Sequence, residues 1–191
     1  MWLRDKLVGL KDTNPKRKSI VREYAEALII AFLLAMLIRT FVIEAFKIPT
    51  GSMIPTLMIK DRLIVSKFTY KFEEPERGDV IVFKYPVNPK RDFIKRMIAK
   101  GGENVEIRGG NIYIDGEMVM MDEIKNKYYY NRGPYGAEGM IVNVPENHYY
   151  VLGDNSNNSK DSRYWGFVPK ENLVGKALLV FWPFNRVRLI R

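Results

Sequence analysis

The sequence predicts an all-β domain, an antiparallel, partly open barrel or pair of folded sheets, preceded by one N-terminal transmembrane helix. Three observations carry that expectation. From residue 47 onward the chain breaks into short runs of β-branched and aromatic residues, punctuated by Gly, Asn and Asp. No stretch after residue 46 sustains a helical period. Ahead of them, Ala27–Ile38 is unbroken apolar sequence, and Thr40-Phe41-Val42-Ile43 extends it past Arg39.

Residues 1–24 form a basic tail: seven basic residues precede Tyr24 against three acidic ones, the charge that the positive-inside rule keeps in the cytoplasm. Residues 25–46 read as the anchor. Counted from Ala27 to Ile43 the apolar segment has 17 residues, the low end of the roughly 17–25 that cross a bilayer. Its apolar residues lie on all sides of a helix, as lipid exposure requires, and Arg39 sits near enough to its end to snorkel to headgroups. A buried core helix or a secretory signal are the alternatives. About two dozen residues ahead of the apolar core and the absence of a small-x-small site in Glu44-Ala45-Phe46 weaken the cleavable-signal reading.

Residues 47–191 read as the β domain. Strands are expected at Leu63–Val65, Val80–Phe83, Phe93–Ile98, Val105–Ile107, Ile112–Ile114, Tyr149–Leu152 and Ala177–Phe181. Gly109-Gly110 reads as a hairpin turn and Asp115-Gly116 as another. Residues from about 120 to 140, with Tyr128-Tyr129-Tyr130 and Gly133-Pro134, read as a loop-rich insertion.

Composition removes several chemistries. The chain has no cysteine, which excludes thiol catalysis, disulfides and cysteine-ligated zinc. A single histidine, His148, disfavours a His-rich metal site. The net charge of +9 invites a nucleic-acid reading, but the basic residues crowd ahead of the apolar run and favour a membrane-facing role.

Three places carry residues suited to chemistry. Ser52 stands in Pro49-Thr50-Gly51-Ser52-Met53-Ile54-Pro55-Thr56-Leu57, a loop stiffened by two prolines just past the apolar run. A serine needs a base. His148 is one candidate, although a lone histidine is more commonly structural. Lys95 is the other: alternation puts Phe93, Lys95 and Met97 on one strand face, where desolvation would lower the amine pKa from about 10.4. It also fits an edge-strand lysine that guards against aggregation. Gly153–Arg163 is a polar loop able to build turns or to orient a base, and its acidic spacing is a poor match to a calcium loop.

Taken together, these segments resemble the type I signal peptidases. The likeness rests on Pro49–Leu57 with its Ser52-Met53 pair, on Asp61–Val65, and on Arg77–Phe83 followed by Phe93-Ile94-Lys95-Arg96 and Gly101-Gly102-Glu103. Its last segment is Gly153-Asp154-Asn155 with Ser159, Asp161, Ser162 and Arg163. They stand in the family's order across most of residues 27–168, and the chain resembles the compact, single-span form of Gram-positive-type bacteria. Ser156 departs from the charged residue expected there.

The resemblance implies a serine endopeptidase with Ser52 as nucleophile and Lys95 as general base. It implies an oxyanion hole from the Thr50 hydroxyl and the Ser52 backbone N–H, and it makes Ser159 the residue that orients the lysine. Arg96, Asp154, Asp161 and Arg163 become structural ion pairs around the site, and Asp61 and Arg62 are structural too. Neither metal nor cofactor is implied. The expected partners are signal-peptide-bearing preproteins and membrane lipid, with no nucleic acid. The expected location is the cell membrane, single-pass, with the N-terminus cytoplasmic and the C-terminal domain extracytoplasmic. The rivals are another Ser/Lys protease of the repressor-autoprotease type and a non-enzymatic, membrane-anchored peptide-binding module.

Overall fold

A computed structural model of the chain describes residues 19–190. Most of the basic tail, residues 1–18, lies outside the described residues. The chain divides into two compact units, residues 1–37 and 38–191.

Helix α1 (Ile20–Phe41) supplies the described part of the first unit. Glu23 in its first turn and Arg39 in its last complement the helix dipole, and Arg22 pairs with Glu26 one turn on at 2.9 Å. Its large apolar side chains are exposed, among them Leu28, Phe32 and Leu34. Among the described residues no helix is long and apolar enough to cross a membrane. The physical reason is visible in the sequence: Arg22, Glu23 and Glu26 occupy the first turns, and Arg39 interrupts the apolar run near the other end.

The helix stops where β-branched residues gather at Val42 and Ile43, which favour extended backbone. Ile43–Lys47, of which the sequence assigns all but Lys47 to the anchor, is β1 and pairs antiparallel with β2 (Arg62–Ser66). The remaining strands are β3 (Val80–Lys84), β4 (Asp92–Lys100), β5 (Asn104–Arg108), β6 (Asn111–Ile114), β7 (Glu117–Met118), β8 (Ile141–Asn143), β9 (His148–Leu152), β10 (Val168–Pro169), β11 (Leu173–Trp182) and β12 (Arg188–Leu189). Two one-turn helices, α2 (Asp122–Lys125) and α3 (Ser162–Trp165), fall in the connections.

The strands form two antiparallel sheets. The larger runs β1-β2-β11-β3-β4-β9-β10, with β12 on β11, and the smaller runs β7-β6-β5-β8. Gly109-Gly110 closes β5 to β6 as the sequence predicts, with both glycines at positive φ. The expected strands all form. Those the sequence did not announce are short pieces such as β7, β8, β10 and β12, held by their neighbours and not by a pattern of their own.

The larger sheet is buried on both faces. Alternation along β3 sends Val80 and Val82 to one core with Leu63, Val65, Met53 and Leu57. It sends Ile81 and Phe83 to the other with Met97, Tyr149 and Val151. A third core lies under the small sheet, joining Val105, Ile107, Ile112 and Ile114 to Ile98, Tyr150 and Leu152 of the larger one.

Candidate active site

The serine loop is held from below. Met53 and Leu57 are buried in the core beside Leu63 and Val65, and Leu57 N–H donates to the Met53 carbonyl at 2.8 Å. Ile48 and Asp61 close the loop's base, where the Ile48 N–H donates to the Asp61 carbonyl and the Lys60 N–H to that of Ile48. Ser52 is thereby fixed on a packed stem.

Lys95 lies on β4 opposite Ile81 of β3. The pairing of β4 with β9 begins only at Arg96, which faces Leu152. From Asp92 to Lys95, therefore, β4 has a strand on one side only, and this stretch lines the cleft on the other. The Lys95 amine lies 2.9 Å from Ser52 Oγ and 2.8 Å from the Ile94 carbonyl oxygen. It also sits 5.4 Å from the centre of the Phe93 ring, on the face that alternation assigns to both residues. Only 4% of Lys95 is exposed, which rules out a solvated edge lysine. Burial lowers its pKa to about 8, against the pull of the Asp161 and Asp154 carboxylates in the other direction.

The third segment brackets the pair from the far side. Asn155 donates through its backbone N–H to the Ser52 carbonyl and through its side-chain amide to the Gly51 carbonyl, each at 3.0 Å. Gly153 is where this loop passes closest: a Cβ there would overlap Ser159 Oγ and the Ser52 carbonyl oxygen. Thr50 Oγ1 is 3.5 Å from Ser52 Oγ. The Ser159 hydroxyl is buried and, among the described residues, makes no hydrogen bond, so the expected bond to Lys95 is not formed in this structure.

Two buried ion pairs hold these pieces. The Arg96 guanidinium grips Asp154 at 2.8 and 2.7 Å and reaches the Gly78 carbonyl oxygen at 2.5 Å. Arg163 grips Asp161 at 2.8 and 2.9 Å, and Asp161 in turn accepts the Gly153 N–H at 3.0 Å. Burial works against the charged form of both arginines, yet the carboxylate bonds hold their pKa values above the usual. Ser156, the departure noted above, is buried; its hydroxyl accepts from Arg163 at 2.6 Å and from the Tyr130 N–H at 2.8 Å.

Asp61 is buried under Arg186, which bonds both of its oxygens at 3.0 Å. Burial raises its pKa, but the bonds from Arg186 and the Met58 N–H hold it below the usual carboxylate range. Arg62 is exposed on β2. His148 lines a separate cleft with Glu74, Glu146 and Lys170, and its Nδ1 lies 2.8 Å from the Glu146 carbonyl oxygen. Among the described residues no group of His, Asp or Glu could hold a metal ion.

Two contributors escaped the sequence. Thr56 Oγ1 makes a short bond to Asp154, and the Lys127 amine lies 3.6 Å from the same carboxylate. Thr56 reads only as loop flank, and Lys127 sits in a Tyr-rich insertion; neither has a local pattern, because their partner is far along the chain.

The pieces face one cleft of about 660 Å³ whose lining includes Pro49, Thr50, Ser52, Phe93, Lys95 and Ser159. A family model described as "Signal peptidase, peptidase S26" matches residues 21–182. The chain is 42% identical to a "Probable signal peptidase I-2" of Synechocystis sp., over 95% of this chain and 84% of that one. It is 43% identical to a "Signal peptidase I" of Leptolyngbya laminosa, over 92% and 86%. It is also 35% identical to a "Signal peptidase I T" of Bacillus subtilis, over 96% and 97%. With the family's model matched along most of its length and relatives this similar end to end, the chain belongs to the signal peptidase family, peptidase S26, and is a serine peptidase.

Proposed function

We propose that the protein is a membrane-anchored endopeptidase that removes N-terminal signal peptides from secreted preproteins, with Ser52 as nucleophile and Lys95 as general base. The observation that carries the reading is the buried 2.9 Å contact between Lys95 Nζ and Ser52 Oγ. A neutral lysine amine has one lone pair and two N–H donors. The lone pair takes the Ser52 proton while one N–H bonds the Ile94 carbonyl oxygen, 2.8 Å away. The second N–H is left for the Ser159 hydroxyl, whose lack of another partner among the described residues supports an orienting role.

In this mechanism Ser52 Oγ attacks the scissile carbonyl carbon as its proton passes to Lys95. The Ser52 N–H and the Thr50 hydroxyl bind the oxyanion. The lysine proton then moves to the leaving amine nitrogen as the C–N bond breaks, leaving an ester on Ser52. Water attacks that ester, gives its proton to Lys95, and the proton returns to Ser52 Oγ. With a pKa of about 8, about a tenth of the free enzyme holds the neutral amine at pH 7.

The anchoring role falls to α1, whose exposed apolar side chains support it. Its unbroken run Ala27–Ile38 is short for a bilayer about 30 Å thick, so in this reading Arg39 snorkels to the headgroups. The basic tail stays cytoplasmic and the β domain extracytoplasmic. Preproteins carry an apolar segment ending near the same surface, and confinement there raises their effective concentration.

Incubating detergent-solubilised protein with a preprotein and sequencing the new N-terminus of the product tests the function. Cleavage after the signal peptide is expected, lost in both Ser52→Ala and Lys95→Ala. Full processing by Lys95→Ala with loss in His148→Ala would overturn the base.

A further inference from the structure

The cleft that holds Ser52 and Lys95 has an electrical asymmetry that the cleavage chemistry does not use. Its lining includes two further cations, Arg91 and Lys160, and one acidic side chain, Asp92. The acid already faces a cation, since the β3–β4 register sets Lys84 opposite Asp92 with 4.0 Å between their charged groups. Among the described residues neither Arg91 nor Lys160 makes an ion pair.

Both are held by their neighbours. Arg91 ends a hydrogen-bonded turn in which its N–H donates to the Asn88 carbonyl at 3.0 Å and its own carbonyl accepts from Tyr85 at 2.8 Å. Its guanidinium stands 5.6 Å from the centre of the Phe93 ring, the ring that also neighbours the Lys95 amine. Lys160 is exposed but flanked by buried Ser159 and Asp161, and the Asp161–Arg163 pair fixes its backbone. The two cations thus come from different elements, the turn into β4 and the polar loop, and both open on the cleft. Lys95 is neutral in its active form and adds nothing to this charge, which belongs to Arg91 and Lys160.

We propose that Arg91 and Lys160 are specificity-determining residues that favour substrates carrying a carboxylate close to the scissile bond and disfavour those carrying a lysine or arginine there. The inference rests on the peptidase reading above and adds a charge preference to it. Charge pairs made by exposed side chains are weak individually and screened by salt, so the preference is a matter of several-fold.

The test uses the full chain in detergent and a preprotein series identical except for one residue, Gln, Glu or Lys, placed in turn at the second position before the cleavage site and at each of the three positions after it, with the small-x-small motif left intact. For at least one position, kcat/KM is expected to rank Glu above Gln above Lys, with Glu over Lys by about fivefold at low salt. That ratio should shrink as NaCl is raised toward 0.5 M. It should fall toward one in the Arg91→Gln/Lys160→Gln double variant, a comparison internal to each enzyme that does not depend on absolute rate. Equal rates for the Glu and Lys substrates at every position, or a ratio untouched by the double substitution, would overturn the proposal. Failure to cut the Gln substrate at all would overturn the peptidase reading, and this inference with it.

Discussion

At the scale of single residues, the chemistry turns on how much it costs to charge Lys95. Its folded-state pKa is lowered from 10.5 to about 8, chiefly by burial. Activity is therefore expected to rise with pH, the acidic limb of kcat/KM having its midpoint near pH 8; a profile flat from pH 5 to 9 would rule out a lysine base. The same depression has a stability consequence of fixed sign. The unfolded chain binds the proton more tightly, so the native state is disfavoured by about 3 kcal/mol below pH 8, and the penalty is relieved as pH rises toward 10.5. Lys95→Met is expected to be inactive but more stable than the parent in urea at pH 6, with the advantage shrinking by pH 10. A variant less stable at both would show that the amine's hydrogen bonds outweigh its desolvation. Lys95 was legible in the sequence as a desolvation candidate from Phe93 and Met97 on its face. The alternative of an edge-strand lysine is equally legible, because period-two alternation says which residues share a face and not whether the face is covered.

At the scale of elements, the site is made where β4 loses its β9 partner and Lys95 meets Ser52 of the serine loop. Gly153 is the pinch point, its missing side chain leaving room for Ser159 Oγ and the Ser52 carbonyl. Gly153→Ala is expected to lower kcat/KM by about a hundredfold by displacing the serine and base loops, with the far-ultraviolet circular dichroism unchanged. Parent-like activity would show that the loops have slack. The ion pairs behave differently. Arg163→Met leaves Asp161 charged and fully buried, and unfolding in urea is expected to register a loss of about 3–5 kcal/mol. Replacing Asp161 by Asn in the same chain should recover part of that loss; no recovery would mean that Arg163 matters for its bonds to Ser156 and Tyr130 more than for its charge partner. The sequence marked Asp154, Asp161, Arg96 and Arg163 by resemblance alone. Thr56 and Lys127, which share the Asp154 carboxylate, carried no mark, since hydrogen bonding across that sequence distance leaves no local period.

At the scale of the whole molecule, the two units have separate tasks in the proposed function. The β domain buries a larger sheet on both faces and closes a third core under the smaller one. The helix exposes its apolar side chains. Membranes from cells that make the protein should retain it through alkaline carbonate extraction, and protease added outside spheroplasts should digest the β domain. Release by carbonate would place α1 on the membrane surface or away from it. The sequence by itself determined the positions of the main strands, the hairpin at Gly109-Gly110, the apolar helix and the serine loop, because each is written in neighbouring residues as a period, a turn dipeptide or a composition change. It did not determine where the helix ends, since no glycine or proline interrupts residues 27–48 and Ile43–Lys47 becomes a strand only by pairing with β2. Nor did it determine that Lys95 touches Ser52 and is sealed from water. Those facts belong to the tertiary structure, because burial and a contact 43 residues apart along the chain depend on where β9 stops pairing, which no local pattern specifies.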